Sequence, residues 1–293
     1  MAASLIGCHA TGSTAVTTRP ALSASGAAAR AGAGIGMDAR EKYTYVVCHG
    51  ATAGGWEWKK IDQRLRADGH TMYRPTYTGL GERAHLASEN VDLDTHITDI
   101  VNVILFEDLH DVVLVGHSYG GMVMTGVADR VPDRVKAMVY VDAMVPENGE
   151  SVMSSRWRRG AGGPGGAATR RTTASAPSAA TRAGGAGMTA GRLGERVRPN
   201  SFNVTQPPKT FSQPIQLKNA DATAKIPVVY ILTVDPGKRA EDDAFYFSSQ
   251  RARDRGWTVW EMASDHVPSM THPAELTKLL EDAPAAAKAT AAR

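Results

Sequence analysis

The run Gly116-His117-Ser118-Tyr119-Gly120 sets a serine between two glycines, directly after the apolar run Val112–Val115 and at the mouth of the stretch GGMVMTGVADR. A G-x-S-x-G pentapeptide at a strand-to-helix junction holds its serine on a strained turn, with the hydroxyl exposed and a helix N-terminus facing any developing negative charge. A serine hydroxyl is a weak nucleophile at neutral pH, so a base and an orienting acid must come later in the chain, in the order Ser, Asp/Glu, His. His266 is the expected base: it lies in SDHVPSM, after the last expected strand and before the last helix. His9 lies in a tail, while His70, His96 and His110 precede the serine; His117 adjoins it but should point away. Two acids compete. Asp235 follows the strand VVYILTV and is the stronger candidate by its place in the order, and Asp142, after MVYV, is the alternative. Asp242 and Asp243 read as a solvated helix face. Backbone N–H groups of Tyr119 and Ala51 are the expected oxyanion donors, with His49 and Gly50 at the substrate.

These groups need a scaffold that gathers strand ends on one edge. Tyr43–Cys48, Thr71–Arg74, Val112–Val115, Ala137–Val141, Pro227–Thr233 and Trp257–Met262 read as strands, the third apolar throughout, as in a strand covered on both faces. Helical patterns alternate with them: Trp56–Arg66, the stretch capped by Asp94 with Ile97, Ile100, Val101, Ile104 and Leu105 on one face, Gly120–Arg130, Glu241–Arg253, and Ala274–Leu280, with a tail expected to fray after Glu281. Strands alternating with helices imply a doubly wound, mostly parallel α/β sheet.

The length of 293 residues suits one such domain with a 42% hydrophobic complement, and no run approaches the ~18 apolar residues of a membrane span. The net charge of +3 is local in origin. Residues 151–200 hold nine Arg and one acid, a balance of +8, leaving −5 for the remainder. The basic charge therefore does not argue for a nucleic-acid partner. Two cysteines, Cys8 and Cys48, exclude a disulfide framework. No HExxH or dinucleotide fingerprint occurs, so no metal or organic cofactor is expected. Residues 1–36 are rich in Ala, Gly, Ser and Thr and are expected to be a disordered extension, with Met37 a plausible alternative start. Their lack of acids has the flavour of a targeting peptide, against which a cytoplasmic location is the simpler expectation. The α/β domain, 37–293, is interrupted at about 154–210 by a low-complexity stretch, GAGGPGGAATRRTTASAPSAATRAGGAG at its centre, that has no helical or strand period. Its abrupt borders are also what a shifted reading frame would leave.

Taken together, VVCHGATAGGWEW (46–58), PTYTGLGERAHL (75–86), VVLVGHSYGGMV (112–123), VYVDAMVPENGES (139–151) and SDHVPSM resemble the α/β-hydrolase superfamily. The closer resemblance is to its branch of plant methylesterases, hydroxynitrile lyases and related bacterial esterases. That resemblance implies a serine esterase acting on a small-molecule ester. The lyases carry a threonine after the first-loop histidine and a lysine after the catalytic one; here Gly50 and Val267 stand there, the esterase pattern. Cyanohydrin cleavage is thus the lesser reading, beside a non-catalytic ligand-binding protein on the same scaffold. The branch also builds a cap over its pocket after VPENGES, where this chain has its low-complexity stretch. Acyl preference and oligomeric state stay open.

Overall fold

A computed structural model describes residues 41–154 and 204–291. The expected disorder of 1–36 and most of the low-complexity stretch lie outside the described residues. Six strands, β1 (Thr44–Cys48), β2 (Thr71–Tyr73), β3 (Val112–His117), β4 (Val135–Val141), β5 (Val228–Val234) and β6 (Thr258–Ala263), form one sheet in the order β2-β1-β3-β4-β5-β6, and every pairing is parallel. The chain steps outward from β1 to β2 and then crosses back to β3. This reversal opens a crevice at the carboxyl ends of β1 and β3, where ligands gather in open α/β sheets.

Alternation along the strands divides the interior in two. Val46, Cys48 and Leu114 face one side, against Ile97, Ile100 and Ile104 of α2 (Leu93–Phe106) and Met124 and Val127 of α3 (Gly120–Arg130). Tyr45, Val47, Val113 and Val115 face the other side, against Ile61 and Leu65 of α1 (Lys59–Ala67) and Leu276 and Leu280 of α8 (Pro273–Ala291). Burial of both faces explains why β3 is apolar at every position before its closing Gly116-His117. The remaining helices are short: α4 (Lys209–Ser212), α5 (Ala220–Thr223), α6 (Tyr246–Asp254) and α7 (Pro268–Thr271). Among the described residues no helix is long and apolar enough to cross a membrane.

Three local expectations are corrected. The cap of α2 is Asp92: its backbone is extended, its side chain accepts from Thr95 N at 2.9 Å, and Thr95 Oγ1 accepts from Asp92 N at 3.3 Å. Asp94 instead lies in the first turn and pairs with Arg130. The helix expected over Glu241–Arg253 is broken, with a 3-10 turn at Ala240–Asp242 and α6 starting only at Tyr246. The last helix does not fray after Glu281 but runs through Pro284 to Ala291. Proline deprives the carbonyl four residues back of its donor. That carbonyl is Leu280 O, and Tyr45 Oη donates to it at 3.1 Å. Ala283 and Ala287 are buried, which holds the far half of the helix against the sheet.

Candidate active site

Ser118 follows the last residue of β3 and takes the left-handed conformation, φ 56°, with its N–H donating to Val141 O at 3.3 Å. A serine there is held by its surroundings against its preference. Its carbonyl accepts from Gly121 N at 3.1 Å and Met144 N at 3.0 Å. Two glycines at the start of α3 make the turn possible. A Cβ on Gly120 would stand 1.9 Å from Cys48 O, and one on Gly121 2.1 Å from Met144 O. Backbone fills the space that side chains would need.

The serine Oγ lies 2.9 Å from His266 Nε2, and His266 Nδ1 lies 2.6 Å from Asp142 Oδ2. With Nδ1–H donating to the carboxylate, Nε2 is left to accept the hydroxyl proton. Asp142 follows β4 at φ 44°, is fully buried, and also accepts from Thr233 N at 3.3 Å. Asp235, the acid favoured from the sequence, is not at the histidine. It is a surface residue whose carboxylate pairs with Lys238. Strand register gives the reason. His117 of β3 is level with Val141 of β4, and Val141 with Ile231 of β5. Ser118 and Asp142 thus share a level, while Asp235 lies three residues beyond it, about 10 Å along the strand direction.

Carboxylates gather around the imidazole. Burial alone would lower the pKa of His266, but the hydrogen bond and charge of Asp142, followed by the charges of Asp243 and Glu57, leave it raised. Burial pushes Glu57 up to about 7, with His266 pulling it back. Asp243 rises to about 6 through burial and the neighbouring charge of Asp142. Neither residue was singled out from the sequence as part of this site. The signal for Glu57 was an acid between two tryptophans in GGWEWKK, and Asp243 read as solvated surface.

His49, expected at the substrate, is instead wholly buried, and its ring is committed to the backbone. Its Nδ1 donates to Gly50 O at 2.8 Å and its Nε2 accepts from Tyr77 N at 3.2 Å, while burial lowers its pKa to about 3. It stacks on Tyr77, which stacks on His96, and His96 Nδ1 accepts from Tyr119 Oη at 3.0 Å. Gly50 does sit against the nucleophile, where a Cβ would be 3.5 Å from Ser118 Cβ and 3.0 Å from His117 Nδ1. His117 commits its ring to the loop of His266, with Nε2 donating to His266 O at 2.6 Å.

Among the described residues, the loop and cap hydrogen bonds include none donated by the N–H of Ala51 or of Tyr119. The adjoining Thr52, at φ 62°, is clasped from outside: its carbonyl accepts from Val204 N at 3.0 Å and its N–H donates to Gln206 Oε1 at 2.8 Å. Residues 204–210, placed from the sequence in the low-complexity stretch, therefore pack on the loop beside the nucleophile. Glu150 and Arg251 form a buried bidentate pair at 2.6 and 2.8 Å, and Glu150 O accepts from Ile215 N at 2.8 Å.

The model of the alpha/beta hydrolase family matches residues 45–279. A carbendazim hydrolyzing esterase of Nocardioides sp. (strain SG-4G) is 54% identical over 110 residues, 38% of this chain and 46% of that protein. Methylesterase 2 of Arabidopsis thaliana is 32% identical over 123 residues, 38% of this chain and 43% of that protein. The chain thus spans about half the length of the curated relatives it matches. Among solved structures, an extracellular alpha/beta-hydrolase from a Paenibacillus species superposes with a TM-score of 0.57 at 21% identity, over 82% of this chain and 98% of that one. Polyneuridine aldehyde esterase superposes with a TM-score of 0.59 at 17% identity, over 83% and 99%. The parallel sheet, the serine on its strained turn after β3 and the extent of the family match together assign this chain to the alpha/beta hydrolase family.

Proposed function

We propose that this chain is a serine hydrolase that cleaves carboxylic esters of small molecules through an acyl-enzyme intermediate. The observation that carries this reading is the unbroken line from Ser118 Oγ to His266 Nε2 at 2.9 Å and from His266 Nδ1 to Asp142 Oδ2 at 2.6 Å. The relatives' names, a carbendazim hydrolyzing esterase and several methylesterases, support ester hydrolysis as the reaction class.

Ser118 gives its proton to His266 as its oxygen attacks the ester carbonyl. Asp142 fixes the imidazole tautomer and offsets the charge of the imidazolium that forms. The N–H groups of Ala51 and Tyr119 take the oxyanion, a role in which one donor contributes about 10²–10³ in rate. His266 then protonates the departing alcohol and activates a water to release the acid. Val267 beside His266 brings no cation to stabilise a departing anion, which favours hydrolysis over lyase chemistry.

The test is hydrolysis of p-nitrophenyl acetate by the full chain and by Ser118→Ala, with a serine-reactive phosphonate as label. The variant should fold and lose about 10⁴-fold or more in kcat/KM. Labelling in the wild type should fall on Ser118. Full activity in the alanine variant would overturn the assignment.

A further inference from the structure

An imidazole that shuttles protons must keep its plane aligned with both partners, yet rotation about the Cβ–Cγ bond of histidine is a broad torsion. The His266 side chain is 43% exposed, so packing does not enclose it on every side. Asp142 fixes one edge of the ring, and His117 holds the backbone through the His266 carbonyl. The face is governed by Phe245. Its ring lies parallel to the imidazole, with centroids 4.9 Å apart and planes 6° from coincidence. The His117 ring, at 4.8 Å and 41°, is tilted instead.

Phe245 is itself anchored. It is 9% exposed, immediately precedes α6, and donates its N–H to Asp243 Oδ1 at 2.7 Å. Tyr230, whose hydroxyl donates to Ala143 O at 2.9 Å, approaches the Phe245 carbonyl with the same hydroxyl. The residue after Asp142 and the residue stacked on His266 thus pack around one tyrosine hydroxyl. We propose that Phe245 is a positioning residue for His266, holding the imidazole in the plane between Ser118 and Asp142 and favouring its protonated form.

The physical basis is the negative face of the benzene ring, which stacks on a neutral imidazole and attracts the imidazolium more strongly. The charged groups that face His266 are Asp142, Asp243 and Glu57, and its ring neighbour His117 is held neutral by burial. The imidazolium forms on the way to the transition state, so a group that favours it contributes to kcat. The kinetic part of this proposal rests on the esterase reading, whereas the ring titration does not.

The experiment follows the His266 ring protons by NMR across pH in the resting full-length protein, with assignment by His266→Gln. The variants are Phe245→Tyr, Phe245→Leu and Phe245→pentafluorophenylalanine, the last keeping the ring's outline while reversing the polarity of its face. The leucine and fluorinated variants should lower the His266 pKa by about half a unit, and tyrosine should leave it near wild type. For p-nitrophenyl acetate, the leucine variant should lose about tenfold in kcat with KM changed less than about twofold, and tyrosine should restore the rate. An unchanged titration in the fluorinated variant overturns the proposal, even if leucine fails to fold. A shifted titration in a protein without ester turnover would support the stacking role and overturn the esterase reading instead.

Discussion

Ser118 and Asp142 reach the site by the same device. Each is the first residue beyond a parallel strand, each has a positive φ, and their strands are neighbours in register. A left-handed residue ends a strand abruptly and turns its side chain out of the pleat, which is how two groups on adjacent strands both come to meet His266. Asp142→Asn should lower kcat by about 10⁴, because an amide cannot hold the Nδ1–H tautomer. Asp235→Asn, which removes only a surface pair with Lys238, should change kcat less than about twofold. The pH profile should move in a known direction. In the proposed mechanism His266 acts as the neutral base, so activity should rise as pH climbs through its raised pKa, and Asp142→Asn, by removing the main cause of the rise, should shift that limb toward lower pH. Stopped assays of the two variants across pH 5–9 would decide, and equal losses at both positions would remove Asp142 from its role.

The elements contribute by closeness. The N-terminus of α3 packs so tightly under β1 and the β4 loop that glycine is required at its first two positions. A methyl group on Gly121 would meet the Met144 carbonyl, and that carbonyl's residue also donates its N–H to Ser118 O. Gly121→Ala should therefore cost about 3 kcal/mol or more in stability, and should misplace the serine in whatever fraction still folds. Urea unfolding with parallel phosphonate labelling would measure both effects. Wild-type stability and labelling rate would show that the helix can draw back at no cost. Sequence reading recovered the α3 boundaries because the glycines, the apolar run before them and the helical period after them all act locally. It missed the break before α6, where the Asp243 side chain turns forward to accept from Phe245 N at 2.7 Å and so competes with a continuous helix.

At the scale of the whole fold, His49, His96 and His117 are among the described histidines that burial holds neutral. Burial lowers their pKa values to about 3, 4 and 3, from 6.5. The unfolded chain binds these protons first, so stability is full above pH 6.5 and is lost as pH falls below it, by about 1.4 kcal/mol per histidine for each unit crossed. Against a net stability of about 5–15 kcal/mol, this predicts acid unfolding well above pH 3. Urea unfolding at pH 7, 6 and 5 should show the free energy falling progressively. A flat profile down to pH 5 would mean that these rings are not held neutral in solution.

The strand-to-helix elbow at Ser118, the histidine after the last strand, and the alternation that makes the sheet parallel were all legible in the sequence. Each depends on residues within about one element's length, where spacing alone specifies geometry. Which carboxylate stands beside His266 was not legible. Asp142 and Asp235 both follow apolar strands, and both satisfy the order serine, acid, histidine. Only the register of β4 against β3 and β5, set by how side chains interdigitate across the sheet, places one level with the serine and the other about 10 Å beyond it. The inward turn of His49 and the stack of Phe245 on His266 are likewise contacts between residues far apart in the chain, which tertiary packing decides and sequence spacing does not encode.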